Sequence, residues 1–241
     1  MLVYSTADII ISLLFGLIFY VTLEISLHYL CKNKTTKIER KTHCLAFISI
    51  GYFIKDCYKG NSKNVVRGRF IKTCNFWNCI VSIVLLIISL VVAFAKPDYL
   101  ICLVGFNFWR FYSRNLEIIL AFGFDVFNKG HSRTGNYFDK FDRLKLAVVS
   151  YFEIYFYSAS FYVTVIQDGG LSLILKSLLM SISVGTLTNV AYSKENLGDS
   201  SLQLLPFIQV LAVLSLVVLS LTIYISRALE FKIKKHPWAS L

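Results

Sequence analysis

Apolar and polar residues along this chain fall in long blocks and do not alternate residue by residue. About 20 consecutive apolar residues make one membrane span, and the first block, Ala7 to Leu30, is long enough to cross with some tilt. A second block, Phe76 to Ala95, ends at Lys96, Pro97 and Asp98, a polar break suited to a tight turn between antiparallel helices. Tyr99 to Phe122 then returns, and Leu146 to Ile166 follows the polar, glycine-containing segment Asn128 to Lys145. After the turn Gln167 to Gly170, the stretch Leu171 to Gly185 is apolar but too short to span, as re-entrant elements are. A last block starts near Ser200, where Ser200 and Gln203 make a capping box, and continues to Ile225. The pattern predicts an all-α integral membrane protein with about five transmembrane helices and a re-entrant helix and loop between the last two. Residues 1–145 hold three of those helices, and residues 146–241 hold the rest.

Composition points to the same class. Of 241 residues 56% are hydrophobic and 16% charged, a balance that a soluble domain could not hide from water. A net charge of +11 would suggest nucleic acid in a soluble protein. Here the basic residues sit between apolar blocks, so they report topology and no nucleic-acid partner is expected. Lys32, Lys34, Lys37, Arg40, Lys41, Lys55, Lys59, Lys63, Arg67, Arg69 and Lys72 crowd one loop with only Glu39 and Asp56 in opposition. That loop reads as cytoplasmic, which puts the N-terminus outside a cell membrane and the basic tail, Arg227 to Lys235, inside. Within the loop, Cys44 to Ile54 reads as an amphipathic helix on the inner leaflet, its basic flanks held to anionic lipid. The start lacks the basic region of a secretory signal, so the first block reads as a retained helix. Six cysteines form no CxxC pair and are expected to be reduced.

Enzyme chemistry finds no support. His28, His43, His131 and His236 are scattered, HExxH, GxSxG and P-loop motifs do not occur, and no paired carboxylates share a span. No cofactor is expected. Arg110 and Arg114 fall inside the third apolar block, Arg110 near mid-membrane at about 1.5 Å of rise per residue. Intramembrane arginines face protein or water and find a partner. Glu153, at comparable depth in the fourth block, is the natural candidate, with Glu117 a competitor on the same helix as Arg114. Two arginines four residues apart fall short of a voltage-sensing array, and pairing or snorkelling is the better reading. Glu24 and His28 share one face near the inner end of the first helix, where interfacial snorkelling accounts for them.

The segment Ser183 to Ser193, SVGTLTNVAYS, follows a short helix-like run and precedes a long apolar helix. It resembles the pore signature of the tetrameric potassium-channel superfamily, Thr-x-Thr-Thr-Val-Gly-Tyr-Gly-Asp. Thr186, Thr188, Val190 and Tyr192 agree with it, whereas Asn189, Ala191, Ser193 and Lys194 depart from it. The resemblance extends over about Leu146 to Lys232 as outer helix, pore helix, filter-like turn and inner helix. It implies a homotetramer around an axial pore, with monovalent cations as the only ligands. In such a filter, four loops aim backbone carbonyls at the ion. Ala191 and Ser193 would each cost about 1 to 2 kcal/mol if left-handed backbone angles were needed. Asn189 replaces a threonine that contributes to the innermost site, and Lys194 puts positive charge where the family has an aspartate. Weak selectivity is therefore expected, and a non-conducting interaction or regulatory protein that retains the fold is the alternative. Ala212, Ser215, Leu219, Thr222 and Ser226 form a stripe on the last helix that would line a cavity or serve close helix packing.

Overall fold

A computed structural model describes residues 5–31, 53, 64–127, 140–166, 170–197 and 202–217. Among these residues the chain is helical, with short turns and no strand. The helices are α1 (Thr6–Cys31), α2 (Asn64–Ala95), α3 (Leu100–Phe127), α4 (Lys140–Val165), α5 (Gly170–Gly185), α6 (Val190–Leu197) and α7 (Leu205–Leu214). Three stretches are long and apolar enough to cross a membrane: Thr6–Cys31, Gly68–Ala95 and Leu144–Val165. The chain is therefore a membrane-embedded helical protein.

Helix directions follow from the side chains that meet. Asn75 and Ser89 of α2 reach Ser150 and Ser160 of α4, so these two helices run parallel. Asn107, Arg110 and Arg114 of α3 reach Ser160, Tyr157 and Glu153 in turn, so α3 runs against α4. Ser12 and Tyr20 of α1 meet Ile101 and Ser113, which sets α1 parallel to α3. The α2–α3 connection is the polar break expected from the sequence, closed as a 3-10 turn at Pro97–Tyr99.

The outer face of the bundle is apolar, and its interior combines apolar clusters with many buried polar side chains. On α1, Ile10, Leu14, Phe15, Ile18 and Phe19 are exposed, while the buried residues are Ser12, Gly16, Tyr20, Glu24 and His28, each four residues from the last. A helix dissolved in hydrocarbon gains nothing by hiding leucine, so its polar and small side chains turn inward, where they find partners or allow close approach. Gly16 and Gly105 mark such an approach. A Cβ at Gly105 would run into the Ser12 backbone, and one at Gly16 into that of Gly105 and Phe106. The contact is fastened by Ser12 Oγ, which donates to the Ile101 carbonyl at 2.5 Å and accepts from the Gly105 N–H at 2.9 Å.

Helix α2 starts at Asn64, twelve residues before the expected Phe76, and within this extension Lys72 pairs with Asp142 of α4 at 2.7 Å. The filter-like segment is part turn and part helix. Gly185 to Asn189 form a turn, and Val190, Ala191, Tyr192 and Ser193 open helix α6. The inner-leaflet helix at 44–54, Ser200 of the capping box, and Leu219, Thr222 and Ser226 lie outside the described residues, apart from Phe53, which is helical.

Candidate functional site

Two polar constellations stand out, one inside the bundle and one on its surface. The inner one is built on the two arginines of α3. Arg110, 1% exposed, donates to Glu24 of α1 and to the Tyr157 hydroxyl of α4, and reaches Asn78 Oδ1 of α2 at 3.1 Å. Its guanidinium also lies 4.9 Å from the Tyr157 ring centroid and 5.8 Å from that of Tyr20, so aromatic faces supply part of its environment. One turn on, Arg114 donates through Nε to Glu153 Oε2 at 2.6 Å, through Nη1 to Glu117 Oε2 at 2.6 Å, and through Nη2 to Asn75 Oδ1 at 3.1 Å. Each guanidinium thus ties α3 to two or three neighbours, and its planar fork of donors permits this.

Glu24 and His28 belong to this cluster and do not snorkel. Both are buried, Glu24 at 3% exposure, and Arg110 is the reason: it offers Glu24 a counter-charge inside the bundle. His28 Nδ1 lies 2.7 Å from the Glu24 carbonyl and 3.3 Å from Glu24 Oε2. Asn75, Asn78, Tyr20 and Tyr157 were not singled out by sequence. The four-residue spacing of Ser12, Gly16, Tyr20, Glu24 and His28 carried that signal for α1. A purely polar ladder continues the cluster outward: Asn107 donates to Ser89 Oγ at 3.0 Å and to the Ser160 carbonyl at 3.2 Å, while Ser160 donates to Asn107 Oδ1 at 3.0 Å.

The second constellation is the turn between α5 and α6. The carbonyl of Ser183 accepts from the Thr188 N–H at 3.0 Å, and the Thr186 N–H returns to Ile182 at 2.8 Å. Leu187 takes the left-handed conformation, φ 59°, that closes the end of a helix and is normally given to glycine. Asn189 then caps the next helix, its Oδ1 accepting from the Tyr192 N–H at 3.0 Å. Thr186 and Thr188 share a hydroxyl contact at 2.9 Å, and Thr186, Leu187, Thr188 and Asn189 are all exposed. Ser193 is buried and donates back to the Met180 carbonyl at 3.2 Å, so α6 folds against α5 as the second arm of a hairpin. The end of α5 is held from α4: Tyr155 donates to the Tyr151 hydroxyl at 2.6 Å, and Tyr151 to the Gly185 carbonyl at 3.1 Å. Gln209 of α7 completes the frame, accepting from Tyr162 and donating to the Ser181 carbonyl.

Of the stripe on the last helix, Ala212 is fully buried against α3 and α4 in a cluster with Ile118, Ala147 and Ile154, so it serves packing within the chain. Ser215 lies at the start of a π turn, Ser215 to Val217. Among the described residues no group of three or more His, Cys, Asp or Glu is placed to hold a metal ion. Comparison with protein families, curated proteins and solved structures finds no match.

Proposed function

We propose that this chain is a pore-forming ion-transport protein of the cell membrane, that four copies surround the Thr186 to Ser193 segments, and that the pore passes monovalent cations with little preference for potassium over sodium. One observation carries the reading. Helix α5 ends at Gly185 beside Tyr151, seven residues into the apolar stretch Leu144–Val165 of α4, and the chain then turns back along α6. At 16 residues α5 is about 24 Å long, short of the roughly 30 Å hydrocarbon core. An exposed Thr-Leu-Thr-Asn turn at that depth cannot face lipid, because irregular polar backbone is tolerated in the membrane only against protein or water. A symmetric assembly around the turn supplies both.

In this reading α3 is the third span, α4 the fourth and the helix containing α7 the fifth, α5 and α6 form the re-entrant element, and the N-terminus lies outside. The basic cytoplasmic loop meets anionic lipid. Low selectivity follows from α6: carbonyls inside a helix bond to N–H groups four residues on and cannot form a ring around an ion. Lys194, whose Nζ lies 5.4 Å from the Phe207 ring centroid, adds one positive charge per subunit near the mouth and opposes cation entry. The same helix favours a second reading, a non-conducting interaction protein that keeps the hairpin as a subunit contact. Purified protein in planar bilayers under a potassium/sodium gradient separates them. A small current with a reversal potential near zero supports the pore. Silence from a confirmed tetramer supports the second reading, and a strongly potassium-selective current overturns the argument from α6.

A further inference from the structure

The inner cluster is independent of the pore hairpin and contains a combination that packing alone does not require. Among the described residues, two guanidiniums, Arg110 and Arg114, meet three buried carboxylates, Glu24, Glu117 and Glu153. A titratable imidazole, His28, stands against the first of these. We infer that His28 and Glu24 form a proton-binding site that seats α1 in the bundle: the site is filled when His28 is protonated, and α1 is then held most tightly.

The geometry assigns the atoms. His28 Nδ1 faces two oxygens that only accept, the Glu24 carbonyl and Glu24 Oε2, so it carries a hydrogen in both charge states. The proton gained or lost is therefore the one on Nε2. With it bound, the two oxygens of Glu24 each meet a cation, Oε1 at Arg110 and Oε2 at the imidazolium. Among the described residues of the cluster, three positive charges then answer three negative ones in a region where an uncompensated charge is costly. Without it, the Nδ1–H still faces Glu24 but the imidazole brings no charge, and Arg110 is the cation described against that carboxylate.

Among the described residues, four helices contribute to the field of the pair. Helix α1 adds the Tyr20 hydroxyl, and α3 adds Arg114 and Glu117 beside Arg110. Helix α4 adds Glu153 and Tyr157. Helix α2 places Phe70 against the imidazole, ring centroids 6.0 Å apart, and brings the neutral amides Asn75 and Asn78, while its Lys72 is engaged by Asp142 of α4. Intramembrane histidines and carboxylates in contact are the groups that take up and release protons at membrane depth, and histidine changes charge between about pH 5 and 8.

The test uses the full chain in detergent micelles with His43, His131 and His236 replaced by Gln and the remaining histidine labelled with ¹⁵N. The expected spectrum keeps a hydrogen on Nδ1 throughout and shows Nε2 titrating as a single site. In parallel, the melting temperature falls as pH rises through that transition. His28→Gln removes the pH-dependent step, and His28→Lys, a permanent cation, holds the melting temperature at its low-pH level across the range. One charge state of His28 from about pH 5 to 8, or a pH-dependent step that persists unchanged in His28→Gln, overturns the site. Because the spectrum of the parent chain is itself decisive, failure of either variant to fold leaves the inference open to refutation.

Discussion

Arg114 and Glu153 meet in the interior of the bundle, guanidinium Nε to carboxylate Oε2 at 2.6 Å, with Glu153 fully buried. Arg114 is the cation that both Glu153 and Glu117 meet, so removing it takes that counter-charge from two buried carboxylates in a medium of low dielectric. Arg114→Met should therefore destabilise the protein by about 3 to 5 kcal/mol, whereas adding Glu153→Leu and Glu117→Leu should restore much of the loss. Unfolding in mixed micelles measures both. A triple variant no more stable than Arg114→Met would refute the view that the stranded charges, and not lost packing, are the cost.

The contact of Gly16 with Gly105 makes a second expectation. Helices α1 and α3 approach so closely there that neither residue has room for a Cβ, and the obstacle at Gly105 is the backbone of Ser12, which cannot turn aside. Gly105→Val should push α1 outward, break the Ser12 hydrogen bonds and cost about 1 to 3 kcal/mol. Trp109, whose indole donates to the Leu13 carbonyl at 2.9 Å, reports the separation. Its fluorescence should shift in Gly105→Val and stay unchanged in Gly123→Val, where nothing lies within 4 Å of the added atom.

These elements were unequally legible in the sequence. The long apolar helices follow from block length, because lipid demands a minimum span of apolar residues and nothing else competes with that signal. Arg110 and Arg114 stood out because a charge inside an apolar block needs a partner or a path to water. Glu24 and His28 lie near a helix end, where the water interface offers a sufficient account, and only the placement of α1 against Arg110 decides otherwise. The segment 186–193 resembles a known motif at Thr186, Thr188, Val190 and Tyr192 alone, and its backbone form depends on hydrogen bonds that residue types do not specify. The turn around the Ser183 carbonyl and the Asn189 cap make Val190 to Ser193 helical.

The turn at Leu187 supports a prediction of opposite sign. A left-handed residue with a Cβ costs about 1 to 2 kcal/mol, and Leu187, 39% exposed, recovers little of that by burial. Leu187→Gly should raise stability, by less than the full amount because glycine loses more freedom on folding. Asn189→Ala should instead cost about 1 kcal/mol by uncapping α6. Hydrogen exchange at the Tyr192 amide, which donates to Asn189 Oδ1, should quicken in Asn189→Ala and not in Leu187→Gly. Equal rates in the two variants would show that the cap does not hold α6.

The orientation in the membrane rests on the basic loop between α1 and α2 and on the polar turn between α2 and α3. Asp98 is exposed in that turn, between Pro97 and Tyr99. With α1 and α3 parallel and α2 opposed to both, the turn and the N-terminus must share one side, and the basic loop must occupy the other. In the orientation proposed above, that loop, rich in lysine and arginine, is the cytosolic one. In a background with the native cysteines removed, Asp98→Cys should react with a membrane-impermeant thiol reagent on intact cells. A chain retaining Cys57 alone should react only after the membrane is opened. Labelling of Cys57 from outside, with Asp98→Cys protected, would invert the topology and place the Thr186 to Asn189 turn on a path from the cytosol.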